Sequence, residues 1–433
     1  MMKINLVRLT TLLCAGLAWS AGALAGELLT LSYQEAHTRG AGIIDARPSN
    51  LYQGWPAAGE QVGGHVKGAA NLSGDWKIPE DQWPRLLAEK GLDKNKPVAL
   101  YGDKRQVAEI AMMLEKQHGF TQLYELSDWQ KAPLERLPRW RQLVYPQWLE
   151  ALRKGEKVVA APKGEWRLFE VDWGAPKAFL IGHIPGAGYI DTNGLEAEPL
   201  WNKVSDDKLE KLLLEKGIRH DTTVILYSRN TMAAARAAHL MLYAGVKDVR
   251  LLDGGFNAWT NQYMRMLPTE TGLPHDYPAA KAFGVKIPLH PEYLTDVPGA
   301  KQVLAAKDGA LVSVRSWPEF IGETSGYSYI EPKGEIPGAK WGHAGADAND
   351  MSDYHNPDGT MKDASQILAM WQQWGITADK QAAFYCGTGW RASEAFFYAW
   401  LMDWRRISVY DGGWYEWSAD PKNPVVTGER QPG

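Results

Sequence analysis

Cysteine is nearly absent from this chain: 433 residues contain two, Cys14 and Cys386. A disulfide framework is therefore excluded, and no Cys/His spacing resembles a metal site, so neither a metal nor another cofactor is expected. An excess of one charge is also missing. Lys and Arg total 47 against 51 Asp and Glu, and no block of basic residues stands out. Nucleic-acid binding thus has no electrostatic footprint. After the first two dozen residues no apolar run is long enough to span a bilayer, which excludes membrane insertion of the remaining chain.

The beginning reads MMKINLVRLTTLLCAGLAWSAGALAG. Lys3 and Arg8 precede an uncharged apolar stretch from Leu9 to Leu24, and Ala23-Leu24-Ala25 is a small-x-small cleavage signal. This is the anatomy of a secretory signal peptide over residues 1–25. The stretch is short for a membrane anchor. Leu13 stands where a lipobox needs a small residue, and Arg8 lacks the neighbour a twin-arginine signal requires. Cleavage removes Cys14 and leaves Cys386 as the sole thiol in an oxidising compartment. An unpaired thiol there is either an inert core residue or a reactive group.

What the chain does have is internal repetition. TTVILYSRNTMAAARAAHLMLYAGVKDVRLLDGGFNAW, Thr222 to Trp259, lies beside QAAFYCGTGWRASEAFFYAWLMDWRRISVYDGGWYEW, Gln381 to Trp417. A more degraded copy runs from Lys96 to Trp129. Each reads as an apolar strand, a loop, an amphipathic helix and a second apolar strand, and the two closer copies end on Asp-Gly-Gly-aromatic. The upstream halves match as well, through GIIDARPSNLYQG with GGHVKGAANL, RLFEVDWG with IGHIPGAGYI, and ALVSVRSWPEFIG with GEIPGAKWGH. The expected units are 26–142, 143–282 and 283–433, each of about 120 to 150 residues and long enough for its own core. Strands such as VILY and AAFY show no polar alternation, so they read as buried parallel strands. The fold class is α/β, with βαβ units and a parallel sheet covered by helices on both faces. In such sheets the reactive loops lie beyond the carboxyl ends of the strands, and Cys386 directly follows AAFY.

The loop from Cys386 continues Gly387-Thr388-Gly389-Trp390-Arg391, and a helix is expected to begin near Ala392 or Ser393. The two glycines let the backbone curl so that successive N–H groups point inward. A nest of this kind against a helix N-terminus is an anion cradle, and a thiolate at its centre is the anion it stabilises. Arg391 adds a positive charge with five donors. A buried core cysteine is the plainer alternative. Against it, the matching positions elsewhere are Ser228 and Gly102, and the loop glycines are absent from SRNTMA and GDKRQV.

A strand, a six-residue loop opened by cysteine, a helix and a DGG turn resemble the rhodanese family of sulfurtransferases. So do Asp45-Ala46-Arg47, GHVKGA and GHIPGA, and the resemblance spans the chain after residue 25. It implies three tandem rhodanese-like domains, the first two inactive and the third catalytic. It also implies a periplasmic enzyme in which Cys386 attacks the outer sulfur of thiosulfate or a related donor. A thiol, cyanide or protein acceptor then takes sulfur from the Cys386 persulfide, with Gly387, Thr388, Gly389, Trp390, Arg391 and Arg315 binding substrate. The last unit departs from the pattern at Ser313-Val314-Arg315, where Asp-x-Arg is usual, and at GEIPGA. Arg315 is thereby free for a substrate anion or paired with another acid such as Glu335. Arg391 either binds the donor or pairs with an acid such as Glu394.

Two other readings compete. A thiolate phosphatase or arsenate reductase uses Cys-x5-Arg, but here the spacing is Cys-x4-Arg and residue 392 is alanine. A sulfur carrier or binding scaffold without turnover is the other, since two units lack cysteine. The Asp253-Gly254-Gly255 and Asp411-Gly412-Gly413 stretches read as turns before helices, His183 as a hydrogen-bonded structural histidine, and Glu323 to His343 as a pocket wall, a lid or simple packing.

Overall fold

The computed structural model describes residues 27–261 and 267–432. The signal peptide expected over residues 1–25, with Cys14, lies outside the described residues. Three five-stranded sheets form the frame, and every pairing within them is parallel. In strand order they are Leu29–Leu31, Leu123–Leu126, Val98–Tyr101, Gly42–Asp45, Ala70–Asn71; then Leu143–Val144, Asp248–Leu252, Thr223–Tyr227, Trp166–Asp172, Gly188–Asp191; then Leu294–Thr295, Ile407–Tyr410, Gln381–Tyr385, Gly309–Ser313, Lys340–Trp341. The topology is the same each time, and the central strand always ends where Gly102, Ser228 or Cys386 begins the next loop.

The apolar strands are apolar on both sides because both sides are covered. Ala310, Val312, Ala382 and Phe384 enter one core, whereas Leu311, Ala383 and Tyr385, which alternate with them, enter another. Ile44, Val98 and Leu100 are separated from Ile43, Ala99 and Tyr101 in the same way. A period of two divided between two apolar layers is what a helix-covered parallel sheet requires.

The helices after the central strands depart from the amphipathic expectation in two of three units. Lys104–His118 keeps an exposed polar face. In contrast, Thr231–Ala244 is buried from Met232 to Ala244, and Trp390–Leu401 from Arg391 to Leu401. These two helices pack on each other as well as on their own sheets, so neither retains a solvent stripe. One continuous core therefore runs from Val224 and Leu240 in the second unit to Phe384 and Phe397 in the third. The first unit joins it through Trp55 and a buried Lys90–Asp363 ion pair of 3.0 Å. Among the described residues no helix is long and apolar enough to cross a membrane.

Candidate active site

Strand Gln381–Tyr385 delivers Cys386 to the carboxyl edge of the third sheet as a free, fully buried thiol. The following helix begins at Trp390, two or three residues earlier than expected, with Gly389 as its cap. Two backbone bonds hold the loop from behind. The N–H of Trp414 donates to the Cys386 carbonyl at 2.8 Å, and that of Tyr415 to the Gly387 carbonyl at 3.0 Å. The Asp411-Gly412-Gly413 turn makes this clamp possible. Gly413 has φ +56°, and a Cβ there would lie 2.5 Å from the Cys386 carbonyl oxygen and 2.8 Å from that of Thr388. With its carbonyls turned toward this second helix, the loop leaves the N–H groups of residues 387 to 392 without acceptors among the described residues. Six successive donors thus follow the thiol at a helix N-terminus, an arrangement suited to an anion.

The loop glycines serve this geometry in a different way from the one the sequence suggests. Neither Gly387 nor Gly389 takes a positive φ. Each admits a neighbouring side chain instead: a Cβ on Gly387 would collide with the ring of Tyr327, and one on Gly389 would lie 2.8 Å from Arg236 Cζ. Tyr327 comes from the Glu323–His343 stretch, which therefore walls the loop. Thr388 is buried beside the thiol, and the Trp390 indole N–H donates to Glu196 of the second unit at 2.6 Å.

The two arginines expected to meet substrate both lie in buried ion pairs. Arg391 is fully buried and forms a bidentate pair with Glu319, at 2.8 and 2.9 Å, and it also donates to the Tyr327 hydroxyl at 3.2 Å. Its acid is Glu319 and not Glu394, which binds His355 within the third unit and accepts from Thr231 of the second. Burial pushes the Glu319 carboxyl up, but Arg391, Arg315 and Ser316 outweigh it and hold the group at about 2. Burial likewise opposes the Arg391 charge, and Glu319 more than offsets it.

Arg315 is also fully buried. It donates to Glu335 at 3.1 Å and to the Gly334 carbonyl at 2.8 Å, with Glu319 3.6 Å away and Trp414 beneath its guanidinium. The first unit explains the departure from Asp-x-Arg. There Arg47 pairs with Asp45 at 2.7 Å, and Tyr101 donates to the same carboxylate. In the third unit Ser313 replaces the aspartate, and Glu335 of GEIPGA supplies the carboxylate from the facing loop, accepting from Ser313 and Tyr385. The two departures compensate each other. Arg315 and Arg391 are thus both engaged in buried ion pairs beneath the loop.

The matching loop of the second unit is built differently. Ser228 accepts from the Ala234 N–H at 3.2 Å, Asn230 caps its helix through the Ala233 N–H, and Arg229 turns away to Glu170 at 2.9 Å. His183 bonds the Phe179 carbonyl at 2.8 Å and Glu270 at 3.2 Å. Glu319, Tyr327 and Arg236 carried no motif in the sequence. The S-W-P-E run before Phe320 was the one available signal, because Ser316 and Glu319 form a capping box that fixes the carboxylate facing Arg391.

Known proteins share this architecture. The chain is 53% identical to the thiosulfate sulfurtransferase YnjE of Escherichia coli K12, over 96% of each chain. It is 33% identical to the sulfur carrier protein TtuD of Thermus thermophilus, over 66% of this chain and 97% of that one. The crystal structure of YnjE superposes with a TM-score of 0.91 over 95% of this chain and 99% of that one. EanB, 36% identical, superposes with a TM-score of 0.87 over 93% and 99%. The rhodanese-like domain model matches residues 26–129, 145–262 and 297–420, so the chain belongs to the rhodanese family.

Proposed function

We propose that the protein is a sulfurtransferase in which Cys386 carries sulfane sulfur from thiosulfate, or a related donor, to a thiophilic acceptor. The observation that supports this most is the thiol at the head of six unpartnered backbone donors. In the first step the Cys386 thiolate attacks the outer sulfur of thiosulfate. A new S–S bond forms, the bond to the sulfonate sulfur breaks, and sulfite leaves with its electron pair. The persulfide keeps the negative charge that the thiolate brought. The N–H groups of Gly387, Thr388, Gly389, Trp390 and Arg391 stabilise that charge, and one such donor is worth about 3 to 4 kcal/mol. In the second step a thiolate or cyanide attacks the terminal sulfur, and the Cys386 thiolate is released. This is ping-pong covalent catalysis. The naming of the relative YnjE for this activity and the description of EanB with a cysteine persulfide support the same chemistry.

Units one and two, 26–142 and 143–282, are catalytically silent, and 283–433 is the active unit. Intact mass of the mature protein after incubation with thiosulfate tests the reading. One added sulfur is expected, and none in Cys386→Ser; turnover with cyanide distinguishes an enzyme from a carrier. Failure of the parent protein to gain sulfur would overturn it. Export to the periplasm completes the proposal. Cell fractionation should give a chain starting near Gly26, and a full-length cytoplasmic product would refute it.

A further inference from the structure

We infer that Arg236, on the cysteine-free second unit, is a positioning residue of the Cys386 loop. This rests on the sulfurtransferase reading for its consequence, though not for its geometry.

Arg236 is fully buried on helix Thr231–Ala244, where that helix packs against Trp390–Leu401. Its guanidinium touches the loop directly at Gly389 and reaches it through two carboxylates. In the middle, Gly389 leaves the space it fills, since a Cβ there would lie 2.8 Å from both Cζ and Nη1. On the side of the Asp-Gly-Gly turn, Nη2 donates to Asp411 at 2.6 Å. Asp411 opens the turn whose helix clamps the carbonyls of Cys386 and Gly387. At the end of the loop, Nε donates to Glu196 at 3.0 Å, and Glu196 accepts the Trp390 indole N–H. The remaining nitrogen, Nη1, is buried without a hydrogen-bond partner, and it is the one nearest Gly389.

The repeat offers an internal comparison. Arg236 lies eight residues beyond Ser228, and Glu394 lies eight residues beyond Cys386. The facing helices therefore exchange opposite charges. The cysteine loop receives an arginine from the second unit, whereas the start of the second unit's helix receives the Glu394 carboxylate at Thr231. A cation beneath the anion cradle and an anion against the serine loop is the division of labour expected if the second unit serves the third. Arginine suits the task because its planar fork satisfies two carboxylates at once and keeps its charge when buried.

The test uses the full-length mature protein with Arg236→Lys, Arg236→Met, Gly389→Ala and the double variant Arg236→Lys/Gly389→Ala. Sulfur loading from thiosulfate is followed by intact mass, iodoacetamide alkylation of Cys386 is followed across pH, and thermal unfolding is recorded for each. Displacement of a loop by about 1 Å costs up to roughly a hundredfold in rate. Arg236→Met should lower the loading rate on the order of tenfold to a hundredfold and move the alkylation profile to higher pH, with Arg236→Lys recovering part of both. Gly389→Ala should cost more with Arg236 present than with the slimmer lysine, a non-additivity that marks direct contact. A folded Arg236→Met with parental loading and an unmoved alkylation profile would overturn the inference. If that variant does not fold, additive losses in the lysine cycle would overturn it equally. Should the parent protein itself take up no sulfur, the sulfurtransferase reading fails, and alkylation still decides the role of Arg236.

Discussion

Replacing Arg391 with glutamine separates bracing of the loop from binding of the donor. The two shortest guanidinium bonds go to Glu319, at 2.8 and 2.9 Å, and both side chains are fully buried. Removing one partner of a buried pair costs about 3 to 5 kcal/mol, mainly by leaving the other charge uncompensated. Glu319 would retain Arg315 at 3.6 Å and two bonds from Ser316, at 2.9 and 2.7 Å. The lower end of that range therefore applies, about 3 kcal/mol, or roughly a hundredfold in the local opening constant. A chain of three packed units need not unfold in one step, so a global free energy is a poor readout. Accessibility of the buried Cys386 thiol to a maleimide, measured against urea, reports the third unit directly. In Arg391→Gln the exposure midpoint should fall. Sulfur loading in the absence of urea should weaken alike for thiosulfate and for a neutral persulfide donor, because the cradle loses its brace and the anion loses no ligand. A variant with an unmoved exposure midpoint and a defect confined to thiosulfate would refute the bracing role and restore donor binding.

Four other outcomes follow from the same geometry. Ser228→Cys in a Cys386→Ser background should show no substantial sulfur transfer in a cyanide assay, because Arg229 is paired with Glu170 and Asn230 takes the N–H of Ala233 at the head of the helix. Gly413→Ala should reduce turnover and raise thiol accessibility, since its Cβ would press on the carbonyl oxygens of Cys386, Gly387 and Thr388 from a left-handed backbone. The Glu319 carboxyl, held at about 2 against an ordinary 4.5, contributes stability that is complete above pH 4.5 and lost as pH falls toward 2. That contribution amounts to about 3 kcal/mol, so the deficit of Glu319→Gln in urea unfolding should shrink across this acid limb. Asp253 is raised to about 7, chiefly by burial and further by Asp358 and Glu394. Its ionisation therefore opposes folding as pH rises from the usual aspartate range to 7, and Asp253→Asn should gain thermal stability that is small at pH 4 and full by pH 8.

The sheets were legible because a strand covered on both faces leaves an unmistakable run such as VILY or AAFY, and because three copies of the same run set the topology. The cysteine loop was legible through composition, since cysteine and glycines occur together in one copy and are missing from the others. What could not be read is how long side chains choose partners. Arg391 lies three residues from Glu394 in sequence, yet its fork closes on Glu319, which a capping box at Ser316 holds in place. Local spacing suggests a partner on the same helix. The outcome was decided instead by which carboxylate the folded chain aims into a dry site, where a bidentate bond outweighs proximity along the chain.

Glycine occupies positions 387 and 389 for a packing reason of the same kind. Glycine in a loop is ordinarily assigned to backbone freedom, yet neither residue uses it. Their lack of a side chain matters because Tyr327 and Arg236 press against the loop from opposite elements, one from the third unit's own wall and one from the second unit. A loop packed this closely holds its N–H groups in place before any anion arrives, which is where preorganised donors differ from mobile ones. The serine loop lacks both glycines. The cysteine, the glycines and the neighbouring unit's arginine thus form one device, and the loss of any part removes the reason for the others.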